Sequence, residues 1–207
     1  MGLDRQSLRE IRDAPWRNVE ELRAFVTKVG TVDRKDVEAL VKVLVDPTLD
    51  RGPHHTNRCS AFKTLCLAAP DPSLFAPIAA SFAAADPTLR RTMVAVLPTM
   101  NDVSRHDLLC AHLGSLDREV RSDAAEVLAQ IAGPSALREL TALVKKTSFP
   151  GRRDALDVMV PKARHRTLEL LGAVLEAGTM PDRMRAVELL SDPALMSGDL
   201  VGALQII

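Results

Sequence analysis

The sequence has no tyrosine, one tryptophan and five phenylalanines in 207 residues, so aromatic side chains make up only 3% of it. A groove that stacks nucleic-acid bases on aromatic rings has almost nothing to be built from. Charge of one sign is missing too. Lys plus Arg and Asp plus Glu number 27 each, for a net charge of zero. That balance removes the compositional argument for a nucleic-acid or anionic-membrane surface. No apolar run approaches the roughly 20 residues needed to span a bilayer. The N-terminal MGLDRQSLREIRD alternates charge with apolar residues and has no signal core.

Three cysteines, Cys59, Cys66 and Cys110, form an odd, unpatterned set. Cys59 and Cys66 lie seven residues apart, too far along one helix to bond without distortion. Reduced thiols in a cytoplasmic protein are expected. Catalytic signatures are lacking: no glycine-rich phosphate loop, His-Glu metal pair, nucleophile elbow or paired-cysteine zinc motif occurs. The expectation is a non-enzymatic chain without cofactor or metal.

What is present is periodicity. In 117–146, Val120, Ala124, Val127, Leu128 and Ile131 recur at the spacing of one helical face. Asp117 is placed to cap that helix. Gly133 is expected to stop it in a left-handed turn, and Pro134 to open a second helix with Leu137, Leu140, Leu143 and Val144 on its apolar side. Two helices joined so tightly lie antiparallel and leave an apolar face uncovered, so the unit needs neighbours.

The neighbours appear at steps of 31. Arg121 has counterparts at Arg90, Arg152 and Arg183, and Leu128 at Leu97, Met159 and Leu190. Leu109, Leu140 and Leu171 form one column of the second helices; Leu113, Val144 and Leu175 form another. Two helices per unit at a period in the thirties is the mark of an α-solenoid. The hydrophobic fraction, 46%, suffices for a continuous core, expected to consist of Leu, Val, Ala and Met.

The phrase LDREVRSDAAEVLAQIAG at 116–133 resembles the first helix of a HEAT repeat, particularly the short bacterial HEAT-like kind. The resembling features are an acid before the helix, an Arg four residues later, small residues and an aliphatic pair. Asp86, Leu89, Arg90 and Leu97 repeat the pattern; Ser148 and Thr179 stand where the other two copies would have the acid. The resemblance covers about 55–207. It implies an all-α fold, an α-α superhelix or HEAT-like solenoid of about five to six antiparallel helix pairs. Residues 1–50 would be capping helices continuous with the array, and 51–207 the repeats, as the N-terminal portion of a longer protein. Single helices are expected over 73–84, 103–114 and 151–160, with a partial one at 198–207.

The resemblance also implies a role for the arginine column: a ladder of Asp86, Arg90, Asp117, Arg121, Arg152 and Arg183 knitting repeats together, with Asp123, Asp154 and Asp182 as further acids. The competing reading is an anion-binding rail. His106, Cys110 and His112 have metal-ligand types at helical spacing, but His106 and His112 align with Leu137, Leu168, Leu143 and Val174, which are core columns. The pair His54-His55 is expected to be solvated in the irregular connection that starts at Asp46, before a helix expected at about 56–68.

Lys145, Lys146, Arg152, Arg153, Lys162, Arg164 and Arg166 face only Asp154 and Asp157, an excess of five positive charges. Helix-end placement explains most of these, since cations meet exposed carbonyls there. Along the expected solvent side of the second helices the signs alternate: Asp107, Arg138, Glu169 and Gly114, Lys145, Glu176. Alternating charge suits a protein partner better than a polyanion. Two enzyme branches of this architecture fit poorly. DNA-glycosylase-like relatives use aromatics in a basic groove, and here Trp16 is the only Trp; iron-dependent hydroxylases use His-Glu dipeptides, and none occurs. Nothing indicates the tetrapyrrole site of the phycobilin lyases.

The expected function is a scaffold binding another protein or another domain of its own chain, with Lys42, Arg138, Glu139, Lys145 and Glu169 as candidate contacts. A nucleic-acid-binding solenoid is the alternative, and a glycosylase-like enzyme a more distant one; no membrane is implied. The apolar Val201, Leu204, Ile206 and Ile207 are candidates for self-association. If the column is structural, Arg121→Glu lowers the melting temperature before it alters binding; an unchanged melting temperature would favour the anion rail.

Overall fold

The computed structural model describes residues 3–13, 19–131, 133–146, 148–163 and 167–192, and among them there is no strand. The final partial helix and the apolar C-terminal residues expected above lie outside these, as does Trp16. The fold is all-α, of repeated helix pairs, and divides into two compact units, Met1–Arg105 and His106–Ile207.

The first unit contains α1 (Arg5–Asp13), α2 (Val19–Val29), α3 (Arg34–Leu44), α4 (Pro53–Ala68), α5 (Phe75–Ala80) and α6 (Pro87–Met100). α2, α4 and α6 make one row of neighbours, α1, α3 and α5 the other, and the rows meet where α3 packs on α4 and α5 on α6. Asp33 caps α3 reciprocally with Asp36, and Asp86 accepts from Thr88 and Leu89 at the start of α6.

The segment expected as one helix over 73–84 is broken into three. A 3-10 turn Pro72–Leu74 and another at Phe82–Ala84 flank the six-residue α5. Pro77 has no N–H for a helical ladder, and Ser81 returns its hydroxyl to the Pro77 carbonyl. The irregular backbone still buries Leu74, Phe75, Ile78 and Phe82 completely. With Phe62 these phenylalanines are the largest buried side chains, so the expectation of a core without aromatics fails here. Two of the five phenylalanines, Phe75 and Phe82, fall in this irregular segment, and Phe62 lies in the regular α4.

The second unit contains α7 (His106–His112), α8 (Arg118–Ile131), α9 (Pro134–Val144), a composite α10, α11 (Leu168–Ala177) and α12 (Met180–Leu190). α10 runs from Arg152–Asp154 through a π segment, Ala155–Met159, to Val160–Ala163. Pro161 can donate nothing to the Asp157 carbonyl, and the wider turn just before it accommodates the ring. α8 packs on α7 and α10, α9 on α7 and α11, and α11 on α12. The expected 103–114 helix is shorter than its pattern: Val103–Arg105 is a 3-10 turn and belongs to the first unit.

Gly133 departs from expectation. It is extended, at φ −84° and ψ −179°, and acts as the N-cap of α9. With Pro134 at N1, Gly133 opens α9 without itself taking a left-handed backbone. Gly151 is required for a different reason. A Cβ there would overlap the Leu113 carbonyl oxygen and lie 2.9 Å from Leu113 Cβ. Gly172, inside α11, has nothing within 4 Å of such an atom. The two glycines therefore differ in sign: Gly151→Ala is expected to cost about 1–3 kcal/mol through overpacking, whereas Gly172→Ala should add about 0.5–1 kcal/mol. Chemical denaturation of both variants measures this, and a destabilised Gly172→Ala would contradict the assignment of faces in α11.

Candidate functional site

The second unit repeats one electrostatic device. Arg121, at the end of the first turn of α8, donates through Nη1 to the carbonyls of Ser115 and Leu116, at 2.9 and 3.0 Å. Its Nε donates to Asp154 Oδ2 at 2.7 Å, 33 residues ahead in the first turn of α10. Arg152 does the same one repeat later. Nε and Nη2 satisfy the carbonyls of Val144 and Lys146, where α9 ends, and Nη1 reaches Asp182 Oδ2 at 3.0 Å in α12. A helix end leaves its last carbonyls without intrahelical donors, and the planar fork of arginine can serve them and a carboxylate together. Arg152 and Asp182 have 4% and 14% of their side-chain surface exposed, so neither charge is dispensable alone.

In the first unit the device is assembled from other residues. Arg51 caps the end of α3 through the Leu44 and Asp46 carbonyls and binds Asp86 Oδ2 at 2.7 Å. His55 Nε2 lies 2.7 Å from that same oxygen, a geometry that fits Nε2–H as donor. Arg58, buried, donates to the carbonyls of Ile11 and Asp50, and Arg90 to that of Ala85. Asp117 spends its carboxylate on the N–H groups of Glu119 and Val120, and Arg183 meets the Glu176 carbonyl.

The His54-His55 expectation needs correction. α4 begins at Pro53, not beyond the histidines, so His54 is half-buried and His55 is 1% exposed. Proline at N1 is a start signal as well as a breaker, and reading it only as the latter put both rings in solvent. Arg51 and Arg58 were also missed: Arg58 is 32 residues before Arg90, one off the register, and Arg51 is further off still.

No nucleophile or metal centre emerges from the reactive side chains. His106 and Cys110 are buried in α7, His112 is half-buried, and no group of three potential ligands gathers among the described residues. Burial pushes the thiols of Cys59, Cys66 and Cys110 up to about 12, which leaves them neutral and unreactive. Cys59 Sγ is 3.6 Å from His55 Nε2, but that nitrogen is already turned to Asp86.

The HEAT-repeat family model matches residues 76–160. No curated protein and no solved structure matches the chain. HEAT repeats generally act as protein-interaction scaffolds and are typically non-catalytic. The expected all-α HEAT-like fold is therefore upheld.

Outside the buried core, the surface carries both signs. Lys42 is exposed on α3 in the first unit; Arg138 and Glu139 on α9 and Glu169 on α11 are exposed in the second, without ion pairs among the described residues. Lys145 follows α9 and pairs with Glu176 of α11 at 2.7 Å. The basic edge is largely answered by acids: Arg152 by Asp182, Arg153 by Asp157 and Lys162 by Glu126, the last at 2.6 Å. Arg164 and Arg166 lie outside the described residues. No described helix is long and apolar enough to cross a membrane.

Asp182 and Asp86 titrate below the ordinary carboxylate range. Burial alone would raise Asp182, but hydrogen bonds from Thr179 and Arg152 hold its carboxyl below the ordinary value. Asp86 behaves likewise, with Leu89, His55 and Thr88 overcoming burial. A carboxyl whose folded value is the lower one stabilises fully above its unfolded value and loses that contribution as pH falls through the folded value. Asp182→Asn is accordingly expected to cost about 3 kcal/mol at pH 7, by stranding Arg152. The cost should shrink as pH is lowered towards 3. Urea denaturation across that range tests it; a loss independent of pH would contradict the pairing.

Proposed function

We propose that this chain is a non-catalytic scaffold that binds another protein, or another domain of the same protein, through exposed second helices of its repeat array. The array is read as running through 51–207 with 1–50 as its capping helices, in the cytoplasm. The observation that carries the proposal is the character of α9 and α11: Arg138, Glu139, Lys145 and Glu169 put both charge signs on helices tied to each other by Lys145 and Glu176. Rim charges of mixed sign select partners and steer encounter. A polyanion would be repelled by half of them.

The pairing of Arg152, Arg153 and Lys162 with acids weighs against the nucleic-acid reading, because guanidinium and ammonium groups already neutralised release few counterions on binding phosphate. Buried neutral thiols and the absence of a ligand cluster among the described residues weigh against catalysis.

Affinity capture with the tagged protein and its Arg138→Glu/Glu169→Lys variant tests the reading. A partner held by the wild type and reduced at least about tenfold, on the order of 1.4 kcal/mol, in a variant of unchanged melting temperature is expected. Equal retention by both proteins would contradict this surface. Salt-sensitive binding of duplex DNA, abolished by Lys146→Glu, would replace the protein partner with a nucleic acid.

A further inference from the structure

One column of the repeats changes its use at Ser148. Asp86, Asp117, Ser148 and Thr179 follow one another at steps of 31. Asp86 and Thr179 are the N-caps of α6 and α12, and Asp117 accepts from the N–H groups of Glu119 and Val120 in α8. Ser148 caps nothing. α10 starts later, with Gly151 as its N-cap, so Ser148 is left in the link after α9. It is exposed there, and its hydroxyl bonds to nothing among the described residues.

The link itself is held in place. The Lys146 carbonyl accepts from the Phe149 N–H at 3.1 Å and from Arg152 Nη2 at 2.6 Å, so the backbone that carries Ser148 is closed into a turn. Around that turn the charge has one sign. Lys145, Lys146, Arg152 and Arg153 lie within five residues of Ser148, and no acid does. Asp182 and Asp157 hold the two arginines. Lys146 has no ion pair among the described residues, and Lys145 has only the exposed one to Glu176. Ser73, also exposed, makes the contrast: it has Asp71 and three prolines within five residues and no basic side chain.

We infer that Ser148 is a phosphorylation site for a serine kinase that reads the lysines two and three residues before its target, and that the phosphate draws Lys145 from Glu176 and turns the rim of α9 and α11 acidic. The kinase transfers the terminal phosphoryl group of a nucleoside triphosphate. The Ser148 Oγ–P bond forms as the bond from that phosphorus to its bridging oxygen breaks; the diphosphate leaves, and the hydroxyl proton passes to the kinase's base. The product carries about two negative charges and three acceptor oxygens at neutral pH. A single exposed ion pair is weak, so Glu176 cannot keep Lys145 against such a neighbour. The effect on a partner rests on α9 and α11 being the contact surface; the modification and the transfer of Lys145 do not.

The full chain is incubated with ATP, magnesium and a purified serine kinase selective for basic residues before its target, and the product is mapped by tandem mass spectrometry. One phosphate at Ser148 is expected, absent from Ser148→Ala. The double variant Lys145→Gln/Lys146→Gln should lower kcat/KM at least tenfold, with the melting temperature of both variants unchanged. Lys145 holds the Glu176 carboxyl below the ordinary glutamate value. In the phosphorylated chain an NMR titration of that carboxyl should move back up, and in Ser148→Ala treated alike it should stay low. Phosphate placed elsewhere or nowhere, a rate indifferent to both lysines, or a Glu176 titration unmoved by phosphorylation would each overturn the inference. None of these readouts involves a partner, so their failure and that of the contact surface are told apart.

Discussion

One requirement organises the second unit: carbonyls in the stretch where one helix gives way to the next, and the carboxylate at the start of a later helix, are satisfied by a single guanidinium. Arg152 does this for Val144, Lys146 and Asp182, and Arg121 for Ser115, Leu116 and Asp154. Each bond alone is modest. Their combination is not, because removing the arginine leaves several carbonyl acceptors and a carboxylate without their donor at once. Apolar columns supply the attraction between layers, and the arginines fix the register at which layers meet.

The first unit obeys the same requirement with different residues. Asp86 collects Arg51 and His55 together with the N–H groups of its own helix, so one carboxylate caps α6 and anchors α4 and the link before it. The rest of that unit departs furthest from regular helix pairing, and there phenylalanine replaces repetition as the source of burial. Phe75 and Phe82 fill that irregular segment, while Phe62 packs from the regular α4.

Columns that recur were legible in the sequence; contacts that break the column were not. Leu128, Leu97 and Met159 return at 31 residues and are all fully buried. The choice of acid was not legible. Asp117 and Asp154 look equally available to Arg121 by type, yet the first is consumed by capping, which only backbone geometry decides. Gly133 misled because glycine after an apolar periodic run signals both a helix stop and an N-cap. The π segment of α10 was hidden for a related reason: a proline at 161 announces that the ladder must change, without saying where the extra residue is taken up. Candidate contacts such as Arg138 and Glu169 were found by sign and column alone, and their exposure agrees with the expected solvent side.

A double-mutant cycle on Arg121 and Asp154, using both single alanine variants and the pair in urea denaturation, addresses the central claim most directly. If one guanidinium joins successive layers as described, the coupling between these residues will be about 2 kcal/mol or more, within the range for partners in one buried network. A coupling near zero, with the two losses simply adding, would contradict it.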